Sequence, residues 1–120
     1  MIIGITIDED KGLKSRVSSH FGQCGYFLIV EVNGKEISNF KVVTNSAQHG
    51  GGGCLAVDEI LKHKVTHLIA GGMGANAKMK LTDAGVKVFS YSGIAIDAVK
   101  ELLEKGLDGI QPCKEHGGNE

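Results

Sequence analysis

The spacing of apolar residues changes once along the chain, and this change limits the folds that the chain can adopt. Before residue 45, apolar residues form three strand-like runs, Met1–Ile7, Tyr26–Val32 and Glu36–Val43, and Asn33-Gly34 between the last two is a strong hairpin signal. After residue 53, segments with helical spacing alternate with short apolar runs. The sequence therefore predicts an antiparallel hairpin unit that is followed by βα units.

The second half of the chain contains three predicted helices and two predicted strands. Apolar residues recur at helical spacing in Cys54–Lys64 and Ala95–Lys105, and Ala75–Ala84 is rich in helix-forming residues. The short apolar runs Thr66–Ala70 and Val86–Tyr91 are typical of buried strands. The order β-β-β-α-β-α-β-α predicts an α/β fold with a mixed five-stranded sheet and helices packed on it.

Length, composition and charge fit one folded domain and argue against two classes of partner. The 120 residues are 42% apolar, and we assign 1–106 to one α/β domain and 107–120 to a flexible C-terminal tail. A net charge of −1 without a basic stripe argues against nucleic-acid binding. No apolar run approaches the roughly 18 residues of a membrane span, and no signal peptide is recognisable. We expect a cytoplasmic monomer without a membrane partner.

Four loops are predicted to meet at one edge of the sheet. Loops 8–25, 44–53, 71–74 and 92–94 follow strands that should run parallel to one another, and ligands bind at the carboxyl ends of such strands. The chain has 18 glycines, and many lie in these loops. Glycine lets backbone N–H groups approach a ligand, and helix N-termini attract anions. The sequence therefore predicts a site for an anionic ligand at this edge.

Histidine and cysteine side chains are predicted at the same edge. His20, Cys24, His49 and Cys54 are residue types that hold iron, copper or zinc. Cys54 stands near a predicted helix N-terminus, which lowers the pKa of a thiol. Three cysteines are an odd number, which argues against a disulfide framework. The combination suggests an anionic metal cluster.

The tail carries two further residues of these types, Cys113 and His116. They would join the predicted site only if the tail folds back toward the glycine-rich loops. A separate metal contact, or one between molecules, is equally compatible with the sequence.

Each of these features also has a purely structural explanation. Gly50–Gly53 is compatible with a flexible turn, and Gly71–Gly74 with close packing of a strand against a helix. Cys24 and Cys54 could be small buried apolar residues. We expect three other residues to pack in the core rather than to bind a ligand: Phe21, Met73 and Met79.

Two sequence elements resemble one known family. Ser18-Ser19-His20-Phe21-Gly22, followed by Tyr26–Val30, resembles the S-x-H-F-G…F-x-I-V element of the dinitrogenase iron–molybdenum cofactor biosynthesis family. Leu68–Gly74, together with Leu81 and Ala84-Gly85-Val86, resembles the second element of that family, a G-G-x-G turn, a helix with Leu, and A-G-I/V. The resemblance covers residues 1–106 and implies a ribonuclease-H-like mixed sheet.

The resemblance also implies a function. It implies a nitrogenase accessory or carrier protein that binds an iron–sulfur or molybdenum-containing cluster, and it does not imply catalysis. We therefore expect a non-catalytic protein that exchanges the cluster with donor and acceptor proteins. The histidine that contacts the cofactor in the family corresponds to His20. Many members have Arg after HFG where this chain has Gln23, and the cysteines at 24, 54 and 113 are not part of the family pattern. Members also occur outside nitrogen fixation.

These arguments give two sets of candidate site residues. The candidates for cofactor binding are His20, Gly22, Gly51, Gly52, Gly53, Gly71, Gly72 and Gly74. The candidates for metal ligation are His20, Cys24, His49, Cys54, Cys113 and His116.

Two other functions are compatible with the sequence. One is a binding or sensor module for an anionic small molecule, in which the cysteines have no function. The other is a thiol enzyme, in which Cys24 or Cys54 acts with His20 or His49 as base. Nuclease chemistry is disfavoured, because the fourth and fifth predicted strands are not followed by the carboxylates that two divalent metals need.

Overall fold

The order of secondary-structure elements confirms the predicted fold class. The computed structural model describes residues 1–45 and 53–110, with side chains from residue 56 onward in the second range. The strands are β1 Ile2–Ile7, β2 Tyr26–Asn33, β3 Glu36–Thr44, β4 His67–Ala70 and β5 Lys87–Ser90. The helices are α1 Gly53–Leu61, α2 Ala75–Asp83 and α3 Ala95–Glu104, and a short 3-10 helix covers Gly12–Lys14.

The five strands form one mixed sheet in the order β3-β2-β1-β4-β5. β1, β4 and β5 are parallel, and β2 is antiparallel to both of its neighbours. The hairpin loop consists of Gly34 and Lys35, because Asn33 already pairs with Glu36. Gly34 has a φ of 69° at the first central position of this loop, as a type II′ turn requires. As predicted, the carboxyl ends of β1, β3, β4 and β5 lie at the same edge.

Helices cover both faces of the sheet. On one face, α1 and α2 pack over Phe27, Leu68 and Val88, and on the other face α3 packs over Ile5 and other β1 side chains. Burial on both faces explains why the central strands read as nearly continuous apolar runs.

The middle of β1 allows α1 to come unusually close to the sheet. A Cβ at Gly4 would lie 3.1 Å from the side chains of both Ile60 and Val65. Because Gly4 has no side chain, the end of α1 at Ile60 and the following segment at Val65 can pack directly against β1.

The start of the predicted tail is part of the domain, so the prediction of a flexible tail is wrong for residues 107–110. The amide of Ser90 donates to the carbonyl of Asp108 at 3.0 Å, and the amide of Ile110 donates to the carbonyl of Val88 at 3.3 Å. This segment runs antiparallel to β5, and Ile110 is 2% exposed within the core. Cys113 and His116 lie outside the described residues.

Among the described residues, no helix combines the length and the apolar character that a membrane-spanning helix needs. The three α-helices in the described part of the chain have nine or ten residues each.

The turn after α1 contains a strained residue that offers a test of the backbone geometry. The helix ends at Leu61 rather than at the predicted Lys64, and Lys64 has a φ of 61°, a left-handed conformation that costs a residue with a Cβ about 1 kcal/mol. We expect Lys64→Gly to leave the free energy of unfolding unchanged or to raise it by up to about 1 kcal/mol in urea titrations. The matched control is Gly85→Ala, at a φ of 89°, which we expect to lower it by about 1 kcal/mol. Equal losses in the two variants would contradict this assignment.

Candidate functional site

Hydrogen bonds between main chains bring the predicted loops together at the carboxyl edge of the sheet. The amide of Val17 donates to the carbonyl of Gly93 at 2.8 Å, and the amide of Gly71 donates to the carbonyl of Ser18 at 2.8 Å. These bonds join loop 8–25 to loops 92–94 and 71–74. Asn45, which follows β3, is bonded to loop 8–25 as well, because its amide donates to the carbonyl of Gly25.

The first part of loop 8–25 is held by Glu9 and Ser15. The amide of Arg16 donates to Oε2 of Glu9 at 3.1 Å, and the Ser15 hydroxyl donates to the Glu9 carbonyl at 3.1 Å. The Arg16 amide and the Lys11 ammonium lower the pKa of the Glu9 carboxyl below its usual value. The long polar segment is therefore an ordered loop with its own hydrogen-bond framework.

A small cavity of about 190 Å³ lies beside this framework. It is lined by Asp8, Glu9, Arg16 and Val17. The lining carries two carboxylates against one guanidinium, so the cavity is not suited to the anionic ligand that the glycine-rich loops predict.

The segment around Ser18 connects the loop to β1. Ser18 is 2% exposed, its amide donates to the Thr6 carbonyl at 2.7 Å, and the Thr6 hydroxyl donates to the Ser18 carbonyl at 3.3 Å. Two residues later His20 is exposed, whereas Phe21 is buried against Phe27, with 5.9 Å between the ring centroids. The structure thus presents His20 at the surface of a firmly attached loop, and it confirms that Phe21 and Met73 pack in the core. The same expectation is wrong for Met79, which is 59% exposed on α2.

Gly71 and Gly72 lie against this segment at a distance that only glycine permits. A Cβ at Gly71 would lie 2.7 Å from Cα of Ser19 and 2.8 Å from the carbonyl oxygen of Ser18. A Cβ at Gly72 would lie 2.7 Å from the carbonyl oxygen of Ser19. Close packing of two main chains is therefore one function of these glycines.

Gly74 differs from the two preceding glycines, because a Cβ there would have nothing within 4 Å. It is the N-cap of α2, and no side chain caps this helix end. The first backbone N–H groups of a helix have no partner within the helix and bear partial positive charge. Gly74 therefore marks an open, electropositive position two residues after the glycines that contact Ser18 and Ser19.

Cys24 lies in the core and not at the surface of the site. It is fully buried, its Sγ donates to the Phe21 carbonyl at 3.1 Å, and Nδ2 of Asn45 lies 3.7 Å from the sulfur. Burial raises the pKa of the Cys24 thiol from 9.0 to about 12, and the charge of Asp8 adds to this effect. Metal ligation uses the thiolate, so this position suits the structural explanation better than the expected ligand role.

Asn45 connects the end of β3 to loop 8–25. It was not among the residues predicted from the sequence. This side chain is 2% exposed, and its Nδ2 donates to the carbonyls of Cys24 at 2.8 Å and Gly22 at 3.4 Å. Its amide donates to the Gly25 carbonyl at 3.0 Å. The only signal in the sequence is an Asn at the end of a strand, which is also common in ordinary turns.

The remaining candidates are distributed between the first turn of α1 and the part of the chain that is not described. Gly53 begins α1, so Cys54 belongs to its first turn. The candidates outside the described residues are His49, Gly51, Gly52, Cys113 and His116. Among the described side chains, those of residues 1–45 and 56–110, no group of three His, Cys, Asp or Glu is arranged to hold a metal ion.

The comparisons with known proteins agree with this architecture. The family described as "Dinitrogenase iron-molybdenum cofactor" matches residues 1–106. An uncharacterized protein from Methanocaldococcus jannaschii is 31% identical over 114 residues, which cover 92% of each chain.

Solved structures show the same similarity. The apo form of the orange protein from Desulfovibrio gigas has a TM-score of 0.81 at 25% identity, over 92% of this chain and 93% of that protein. A Thermotoga protein with a provisional NifB assignment has a TM-score of 0.69 at 32% identity, over 90% of this chain and 91% of that protein.

A pair of identical substitutions tests the different functions of the glycines. We expect Gly71→Ser to lower the free energy of unfolding by about 1–3 kcal/mol or more, because its Cβ would collide with main-chain atoms of Ser18 and Ser19. We expect Gly74→Ser to leave it unchanged or to raise it slightly, because serine is a preferred N-cap residue. Urea titration of both variants measures the difference. A stable Gly71→Ser variant would contradict the close main-chain packing.

The buried thiol predicts a pH dependence of stability. Because the folded-state pKa of Cys24 is raised, its contribution is fully present below about pH 9 and is lost as the pH rises toward 12. Wild type should therefore lose about 1 kcal/mol more than Cys24→Ala between pH 7 and pH 10. The measurement is urea unfolding of both proteins at the two pH values. Both proteins contain Cys54 and Cys113, so ionisation of these thiols does not contribute to the difference. An equal loss of unfolding free energy in the two proteins would show that Cys24 is accessible to solvent.

Proposed function

Because the chain belongs to the dinitrogenase iron–molybdenum cofactor family, we propose that it binds and delivers an iron–sulfur or molybdenum-containing metal cluster and does not catalyse a reaction. The observation that carries this proposal is the exposed His20 on a loop that is bonded to the ends of two parallel strands. An imidazole held in this way is a suitable ligand for a metal ion of a cluster. The cluster is the cargo of the protein.

The sheet edge that carries His20 also offers groups that are suited to an anionic cargo. The uncapped N-terminus of α2 at Gly74 supplies backbone N–H groups and the positive end of a helix dipole. Backbone donors of this kind can hold the sulfur or oxygen atoms of a cluster without a covalent bond to the metal. The described residues thus offer one imidazole and several backbone donors.

We propose Cys54 and His49 as further ligands and assign Cys24 to the support of the loop. Cys54 belongs to the first turn of α1, where the helix N-terminus favours the thiolate. Cys24 is buried and protonated at neutral pH, so it holds the loop through hydrogen bonds. Few ligands suit a carrier, because four fixed thiolates would favour permanent retention of the cluster.

The partners that this function needs are a protein that donates the cluster and a protein that accepts it. Loop 71–74 and the exposed His20 lie at one edge of the sheet, so both partners would dock over the same edge. The monomeric state and the cytoplasmic location stay predictions from the sequence.

A second candidate function is the binding of an anionic small molecule. The open position at Gly74 supports it, because a helix N-terminus without a side-chain cap binds phosphate or carboxylate groups in many proteins. A thiol enzyme that uses Cys24 has less support, since the raised pKa keeps this thiol protonated.

Reconstitution of the purified protein tests the proposal. After anaerobic incubation with iron, sulfide and molybdate, we expect wild type to retain metal and to absorb visible light. His20→Ala should lower the retained metal by at least about tenfold. Loss of a residue that only hydrogen-bonds to a metal ligand can already have an effect of this size. The matched control is His63→Ala, which removes a histidine that follows α1 at the opposite edge of the sheet and should retain the metal.

The cysteine variants separate the alternatives. Cys24→Ala should retain the cluster and Cys54→Ser should lose it. Retention by Cys54→Ser together with loss in Cys24→Ala would reverse the ligand assignment. A colourless wild type that binds phosphate in a way that Gly74→Val abolishes would replace the cluster proposal by the second candidate function.

A further inference from the structure

The main chain of Ser18 is fixed by three hydrogen bonds that do not involve its side chain. Its amide donates to the Thr6 carbonyl at 2.7 Å, and its carbonyl accepts from the Gly71 amide at 2.8 Å and from the Thr6 hydroxyl at 3.3 Å. Thr6 belongs to β1 and Gly71 follows β4 directly. Ser18 is therefore attached to the ends of two neighbouring strands in the middle of the sheet.

The side chain of Ser18 makes a separate set of contacts. Its hydroxyl accepts from the backbone amide of His20 at 3.2 Å and donates to the backbone carbonyl of His20 at 3.2 Å. One hydroxyl group thus contacts both polar main-chain atoms of the same residue. Ser18 is buried, whereas His20 is exposed and its backbone has no strand or helix to fix it.

We propose that Ser18 is a positioning residue, which transmits the rigidity of the β1 and β4 ends to the backbone of His20. This inference rests on the proposed function, in which His20 is a ligand of the cluster. The direction of a Cα–Cβ bond is set by the backbone of its residue, so fixing the His20 backbone limits the positions that the imidazole can reach. Without the Ser18 hydroxyl, the His20 backbone would lose its conformational entropy when the cluster binds rather than when the protein folds.

The substitution Ser18→Ala isolates the hydroxyl, because alanine keeps the three main-chain bonds of residue 18. The matched control is Ser19→Ala, which removes an exposed hydroxyl for which the described residues give no hydrogen bond. We expect amide hydrogen exchange at His20 in the metal-free protein to be about fivefold faster in Ser18→Ala than in Ser19→Ala. Exchange at the amides of Ser18 and Gly71 should stay at the wild-type rate, which a general loss of stability would not produce.

The second measurement is the retention of metal after anaerobic incubation with iron, sulfide and molybdate. We expect an iron chelator to remove half of the metal from Ser18→Ala at a concentration about five- to tenfold lower than from wild type or Ser19→Ala. Faster exchange at His20 together with weaker retention supports the proposal.

The outcomes separate this inference from the proposed function. Equal exchange rates at His20 in the two serine variants overturn the positioning role of Ser18, whatever the metal analysis shows. Faster exchange at His20 with unchanged retention also overturns it, because the order of this backbone would then not affect binding. If wild type retains no metal, the proposed function fails, and the exchange rates still decide whether Ser18 orders His20.

Discussion

The site depends on a contact between two main chains at the carboxyl edge of the sheet. The segment of Ser18 and Ser19 crosses the end of β4, and Gly71 and Gly72 lie so close to it that a Cβ at either glycine would stand 2.7 Å from a main-chain atom. Because the contact is formed by main chains, it includes a hydrogen bond of 2.8 Å from Gly71 to Ser18. Ser18 is also bonded to β1, so the ends of β1 and β4 together fix the main chain of loop 8–25 two residues before His20.

The residues that hold loop 8–25 in place are different from the exposed His20. Asn45 holds the far side of the loop through the carbonyls of Gly22 and Cys24, and the Cys24 thiol donates to Phe21. These groups are buried and neutral, so they add order without adding charge at the surface. A carrier benefits from such a site, because an ordered ligand raises affinity while a small number of ligands permits release.

The sequence predicted the order of elements and the convergence of the loops, because both depend on patterns within short segments. Alternating apolar residues and the hairpin signal are local properties, and the direction of parallel crossovers follows from chain handedness. The extent of α1 was overestimated because Lys64 adopts a left-handed conformation that lysine does not signal. The pairing of residues 107–110 with β5 was missed, since Gly109 and its neighbours carry no alternating pattern.

The chemistry of the candidate residues was harder to predict than the fold, because it depends on contacts with residues that are distant in the sequence. Neither the spacing nor the residue types at Gly71 and Gly74 distinguish them, yet one faces a main chain and the other faces open space. Cys24 follows His20 closely in sequence, but its thiol points into the core while His20 is exposed. Expectations based on residue type alone could therefore not separate an exposed side chain from a buried one.

The path of the chain at its described end bears on which residues can complete the ligand set. Ile110 pairs beside Val88 in a segment antiparallel to β5, so the chain at this point is directed away from the edge that carries His20. A contribution of Cys113 or His116 to the same edge of the same molecule requires a reversal of this direction, whereas a contact with a partner protein does not. Cys54 needs no such reversal, because it is the second residue of α1. Asn45, which precedes the glycine-rich loop, is already hydrogen-bonded to loop 8–25. The described residues that could take part in such a site therefore belong to loop 8–25, to Asn45 and to the first turns of α1 and α2.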